Sequence, residues 1–140
     1  MDILVSPTSD TPIYLQIADQ ITAQILKGEL ASGTALPPIR SVARQLEISV
    51  ITVKKAWEEL VRGGFIHTII GKGSFVSTRP QTEWDEKREA MARHRLVHDL
   101  PFYQELGLNQ DEFIRLAREA YVDPPPSPDP DWKETGTLGM

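Results

Sequence analysis

Residues Leu36–Val76 read LPPIRSVARQLEISVITVKKAWEELVRGGFIHTIIGKGSFV, and the spacing of their apolar residues changes from helical to strand-like on the way. Pro37-Pro38 opens a short helix through about Leu46, with Ile39, Val42, Ala43 and Leu46 on one face. Glu47-Ile48 makes a turn, and Ser49 is positioned to cap a second helix by accepting from the Thr52 N–H. Val53, Ala56, Trp57 and Leu60 give that helix its buried side, and Gly63-Gly64 ends it. Residues 65–69 and 74–76 then read as strands joined by Gly71-Lys72-Gly73. Helix, turn, helix and β-hairpin, in that order, outline a winged helix.

The residues left outside the apolar stripes suggest what such an outline is for. Arg40 and Arg44 stand four apart, on one side of the first helix. Alone they would pass for two solvated arginines. The second helix changes that reading, because its first two turns present Ser49, Val50, Ile51, Thr52, Lys54 and Lys55. Free N–H groups at a helix start attract phosphate, lysine reaches phosphate or guanine, and apolar side chains meet thymine methyls. Val50 and Ile51 have a competing use as a staple against the preceding helix. In the hairpin, Gly71 and Gly73 flank Lys72, so the backbone can come close to a surface and set one ammonium there, on a phosphate or in a minor groove. Taken alone, the glycine–lysine–glycine turn is equally a solvated hairpin tip, and it is not a phosphate-binding loop.

Around this element the chain supplies support. Residues 1–10 are expected to be a loosely held arm. Thr11 as N-cap and Pro12 at the first helical position start a helix with Ile13, Ile17, Ile21 and Ile25 at i, i+4 spacing, and Gly28 stops it. Residues 30–36 form a turn-rich connection. The winged helix is thus expected over residues 11–78, with its second helix at 49–62 and its wing at 65–77. Residues 79–123 hold two further helices. The first is capped by Thr82 and runs from Glu83 to about Leu100, before Pro101; the second is started by Asn109 with Glu112 as a capping box and Leu108 with Phe113 as a staple. Their apolar stripes are thin, which suits pairing with a second copy through Trp84, Met91, Leu96, Phe113, Leu116 and Tyr121. Pro124-Pro125-Pro126 ends the last helix, and residues 124–140, rich in Pro and Asp, are expected to be disordered. The fold class is α+β.

Composition narrows the function. The net charge of −5 over 140 residues is unevenly spread: residues 1–79 carry +1 and residues 80–140 carry −6. Screening confines phosphate attraction to about 8–10 Å, so the local balance matters more than the total. Cysteine is absent, which excludes disulfides and thiolate metal sites and suits a reducing cytoplasm. No apolar run approaches the ~20 residues of a membrane span, and the first residues lack the features of a signal peptide. His94 and His98 have the i, i+4 spacing of a metal pair, with Asp99 nearby, but no third clear ligand accompanies them. His67 lies on a wing strand, where packing or a DNA contact suits it. No nucleophile–base set or defined carboxylate pair implies an enzyme, and no cofactor or metal is implied.

The blocks PIYLQIADQI, LKGEL, SGTALPPIRSVARQL, SVITVKKAWEELVRGGFI and GKGSFV, in this order from Thr11 to Ser77, resemble the N-terminal domain of GntR-family bacterial transcription regulators. The resemblance implies DNA contacts from Arg40, Arg44, Ser49, Val50, Thr52 and Lys54, and from Gly71, Lys72 and Gly73 in the wing. Many members carry Arg or Asn where Val50 and Ile51 stand here, a departure that bears on base preference. The short ending with GLNQDEFIRLAREAY looks like the YtrA-type subfamily, whose two C-terminal helices are associated with dimerisation. The resulting expectation is a cytoplasmic, homodimeric repressor on a palindromic double-stranded DNA operator. The alternatives are a winged helix that binds protein, its acidic second half docking a partner, or a metal- or ligand-responsive sensor of the same family.

Overall fold

Seven elements follow one another in the computed structural model, which describes residues 1–123: α1 (Ile13–Leu26), α2 (Ile39–Leu46), α3 (Val50–Arg62), β1 (Ile66–Ile69), β2 (Gly73–Val76), α4 (Gln81–Glu105) and α5 (Gln110–Val122). This is the expected winged helix-turn-helix with two helices after it. The disorder expected for residues 124–140 lies outside the described residues. The chain divides into two units, the first ending at Asp85 and the second starting at Glu86.

The first unit is built on helical stripes that meet in one core. Ile17, Ile21 and Ile25 of α1, Val42 and Ala43 of α2, and Val53, Ala56, Trp57 and Leu60 of α3 are buried together, with Phe65, Ile66 and Val76 closing the side. β1 and β2 pair antiparallel, Ile66 opposite Val76 and Ile69 opposite Gly73. The Ile66–Val76 end is rooted in the core and the other end is exposed. The connection expected to be only turn-rich adds a third line of pairing. Gly33 N–H donates to the Val76 carbonyl at 2.8 Å, Val76 N–H to Thr34 at 2.9 Å and Leu36 N–H to Ser74 at 2.9 Å.

Two expectations at the N-terminus are corrected. Pro12, with ψ of 145°, is the N-cap of α1, and its carbonyl accepts from the Leu15 and Gln16 amides. Thr11 does not cap; the Gln16 side chain donates to its carbonyl at 2.8 Å. Nor are residues 1–10 loosely held. Gln16, Gln20 and Gln24, one turn apart on α1, bind the backbone of Ser6, Leu4 and Asp2 in turn. Gln20 accepts from Leu4 N–H at 2.9 Å and donates to Leu4 O at 2.6 Å. Gln16 does the same for Ser6 at 2.8 and 3.0 Å, and Gln24 donates to Asp2 O at 2.7 Å. Ile3 and Val5, the alternate residues, pack against the core. A side-chain amide offers the same donor and acceptor as a neighbouring strand, so the arm is paired as if to a sheet edge.

The junction after the wing is also corrected. Trp84, expected on a dimer face, is 9% exposed and stacks on Phe65 within the first unit, with ring centroids 5.8 Å apart and planes at 17°. Arg79 sits beside this stack, donating from Nε to Gly64 O at 2.8 Å and from Nη1 to Glu83 at 2.5 Å. α4 starts at Gln81, so Thr82 lies within its first turn; the Pro80 carbonyl accepts from the Glu83 and Trp84 amides.

In the second unit, α4 does not stop before Pro101 but continues to Glu105. A proline inside a helix forfeits one backbone hydrogen bond and strains the turn before it, at about 3 kcal/mol. Contacts beyond it oppose that cost. Tyr103 meets Phe113 edge-on at 5.0 Å, and Leu108 N–H donates to the Tyr103 carbonyl at 3.2 Å. α5 begins at the expected capping box, Asn109 accepting from Glu112 N–H at 2.9 Å and Glu112 accepting from Asn109 N–H at 3.2 Å. Among the described residues of this unit none is buried.

Gly64 has φ of +77°, and a Cβ there would stand 2.5 Å from Arg79 Nη2, on a guanidinium already held by two acceptors. Gly64→Ala is therefore expected to cost roughly 1–2 kcal/mol from backbone conformation alone, and more if Arg79 is displaced. In urea titrations Gly64→Ala and Arg79→Ala should combine to less than the sum of their separate losses; full additivity would show that Arg79 and Gly64 act independently.

Candidate nucleic-acid interface

The geometry of the second helix begins at its cap. Ser49 Oγ accepts from Thr52 N–H at 3.1 Å and lies 2.7 Å from Thr52 Oγ1. Thr52 is accordingly half-buried, its hydroxyl turned back on the cap. Before the cap, Glu47 takes a left-handed conformation with φ of 56°, and Ile48 N–H donates to Ala43 O at 3.0 Å. That turn folds α2 against α3 so that Arg40, Ala43, Arg44, Glu47, Ile48 and Val50 line one shallow hollow.

Val50 and Ile51 are 46% and 77% exposed. The staple reading therefore fails for Ile51, while Val50 lies along the hollow with Ala43 and Arg44 of α2. Ile48 instead packs against the core from the turn. Two apolar side chains thus stand in solvent at a helix start, beside amides that have no preceding carbonyl to bind.

The basic residues divide into two kinds. Arg62 pairs with Glu59, Arg79 with Glu83, Arg93 with Glu89, Arg95 with Asp99 and Arg115 with Glu119. Arg40, Arg44, Lys54 and Lys72 are exposed and, among the described residues, pair with no carboxylate, as do Lys27 and Arg118 outside the helix-turn-helix and wing. Lys55 departs from the expectation that it joins them. Its ammonium sits 4.2 Å from the centroid of Tyr14 on α1, a cation–π contact.

The wing tip carries Gly71 at φ +81° and Gly73 at φ +115°, and Lys72 N–H closes the turn on Ile69 O at 2.9 Å. Behind it, His67 stacks on Phe75 with centroids 5.9 Å apart, and the hydroxyls of Thr68 and Ser74 meet at 3.0 Å. The tip also holds a residue that the sequence pattern did not single out, Ile70, which is 98% exposed.

Elsewhere the dimer candidates separate. Met91, Leu96, Leu116 and Tyr121 are exposed, Phe113 is half-buried against Tyr103, and Trp84 is in the core of the first unit. His94 and His98 line a shallow hollow on α4 with Ala90, Arg93 and Val97. His98 Nδ1 lies 3.1 Å from Asp99, and hydrogen bonds from His98 and then Arg95 hold the Asp99 carboxyl below its usual range. Among the described residues, no three His, Cys, Asp or Glu gather where they could hold a metal. Among the same residues no helix is long and apolar enough to cross a membrane.

Comparison with known proteins agrees with this geometry. The family described as "Bacterial regulatory proteins, gntR family" matches residues 13–76. The chain is 37% identical over 121 residues to the HTH-type transcriptional repressor YtrA of Bacillus subtilis, covering 86% of this chain and 93% of that protein. A crystal structure described as a transcriptional antiterminator from Listeria monocytogenes EGD-e superposes with a TM-score of 0.71 at 32% identity, over 86% of this chain and 90% of that one. YtrA from Sulfolobus acidocaldarius, described as a GntR-family transcription factor, gives 0.54 at 38% identity, over 68% and 97%.

Glu47 holds a left-handed backbone without being glycine, which costs a residue with a Cβ about 1–2 kcal/mol. Glu47→Gly should recover part of this, roughly 0.5–1 kcal/mol after the added freedom of the unfolded chain is counted. The expected reading is a higher urea midpoint at unchanged slope; a lower midpoint would mean that the Glu47 side chain contributes more than its backbone costs.

Proposed function

The chain belongs to the gntR family of bacterial regulatory proteins and is a DNA-binding transcription regulator, and we propose that it acts as a homodimeric repressor on a palindromic operator. The observation that carries the reading is the group of unpaired cations, Arg40, Arg44 and Lys54, beside the exposed start of α3. Without carboxylate partners, these charges are available to phosphates or guanines. In this reading α3 enters the major groove, Arg40, Arg44 and Lys54 fix its register, and Val50 and Ile51 meet thymine methyls. Ser49 and Thr52 serve mainly as the cap that keeps the helix start open. The wing, with Gly71, Lys72 and Gly73, follows the backbone or the minor groove.

Pairing of two copies is supported by the second unit, where Met91, Leu96, Leu116 and Tyr121 stand exposed and no described residue is buried. Two-fold pairing would set two α3 helices about one DNA turn, or a multiple, apart. The Bacillus subtilis relative YtrA is a transcriptional repressor, and repression is carried to this chain as part of the proposal.

Selection from random duplexes at low salt should enrich a palindrome. Enrichment of single half-sites would remove the dimer, and retention of no duplex would favour a winged helix that binds protein. On the selected site, Arg40→Ala should weaken binding by ~1–3 kcal/mol and relax one position if Arg40 reads a guanine. If it holds a phosphate, affinity should fall evenly across sequences and the salt slope should drop by about one. Gel-shift titrations at several salt concentrations separate the two, and unchanged binding removes Arg40 from the interface. Leu116→Asp together with Met91→Asp should convert a dimer into a monomer in sedimentation experiments.

A further inference from the structure

The outer half of the wing is apolar where none of the described residues covers it. Ile66 and Val76 root the hairpin, but Thr68 and Ser74 already lie beyond the core, and past them come Ile69 and Ile70. Strand propensity accounts for Ile69, which pairs with Gly73. It does not account for Ile70, which stands in the turn, outside both strands, and is 98% exposed. β-branched residues are poor turn formers, and turn tips are ordinarily Gly, Asn, Asp or Ser. Beside it, Gly71 and Gly73 would meet nothing within 4 Å if given a Cβ, so the tip projects as a free, narrow edge. Two residues along, the unpaired Lys72 supplies the charge that draws such an edge to phosphates.

We propose that Ile70 is an apolar wedge for double-stranded DNA: it enters the minor groove beside Lys72, parts a base step and bends the duplex toward the major groove. The proposal rests on the DNA-binding reading above and deepens it by assigning a residue to shape recognition. Isoleucine is among the side chains that insert between base steps from the minor groove, where the loss of stacking is offset by apolar burial and by extra contacts along the bent duplex. The step that opens most easily is pyrimidine–purine, TA above all, so a wedge selects sequence without reading any base edge. Lys72 and Ile70 then divide the wing's work. The lysine acts through charge and depends on salt; the isoleucine acts through insertion and does not.

The test uses the full chain and the operator selected by the unmodified protein. Ile70→Ala, Ile70→Met and Lys72→Ala are compared for affinity, salt slope and duplex bending measured by fluorescence transfer between end labels. Ile70→Ala should lose about tenfold in affinity at an unchanged salt slope, straighten the duplex, and no longer prefer TA over a stiff step at the wing-facing position. Ile70→Met should keep the bend. Lys72→Ala should keep the bend and lower the salt slope by about one. Because Ile70 touches no core residue, its variants should melt as the unmodified protein does. Bending, step preference and affinity that are all indifferent to Ile70→Ala overturn the wedge while leaving the DNA-binding reading intact. Failure of the unmodified protein to hold any duplex would overturn both.

Discussion

The burial of one side of α3 is the contact on which the rest of the fold depends. Val53, Ala56, Trp57 and Leu60 lie at helical spacing and are buried against α1 and α2. A helix with one side committed to the core has its other side fixed in direction as well as in exposure. Ile51 and Lys54 are therefore presented outward by the same packing that stabilises the domain. Large-to-small changes within such a stripe typically cost 2–5 kcal/mol, because the space left behind collapses only in part. A packing defect in α3 would therefore also misdirect the side chains on its outer face.

What could be read from the sequence was what nearby residues decide among themselves. The Ser49 cap, the Asn109–Glu112 box and the helical stripes each depend on a few neighbours, and the structure has them where the pattern put them. Contacts between distant residues were not legible. Trp84 looked like a surface residue on a sparse helix because its partner, Phe65, is many positions away. Lys55 looked like its neighbour Lys54 because nothing local announces the Tyr14 ring. The paired arm did leave a trace, since Gln16, Gln20 and Gln24 recur one turn apart beside an apolar stripe. Glutamine has too many ordinary surface uses for that spacing to decide the matter alone. Ile70 was missed for the opposite reason. Its environment is empty, and emptiness has no pattern.

The same contrast separates the charges. In α4 and α5 the acidic and basic residues meet at i, i+4 on the helix surface, as in Arg93 with Glu89 and Arg115 with Glu119. Such exposed pairs contribute only a few tenths of a kcal/mol each, but they cancel charge locally. The first unit, with nearly balanced totals, leaves Arg40, Arg44, Lys54 and Lys72 without a carboxylate partner among the described residues. Pairing as well as composition therefore sets the local field.

The start of α4 has a consequence for how this chain acquires order. α4 is 25 residues long, and beyond Trp84 none of its residues is buried. A helix so exposed would normally be limited by nucleation, since fixing the first turn costs several backbone rotations for a single hydrogen bond. Here that turn is assembled by the first unit, through the Pro80 carbonyl, the Arg79–Glu83 pair and the Trp84–Phe65 stack. The remainder of α4 only has to propagate from a template already set. The first unit thus supplies the starting turn of the helix that follows it.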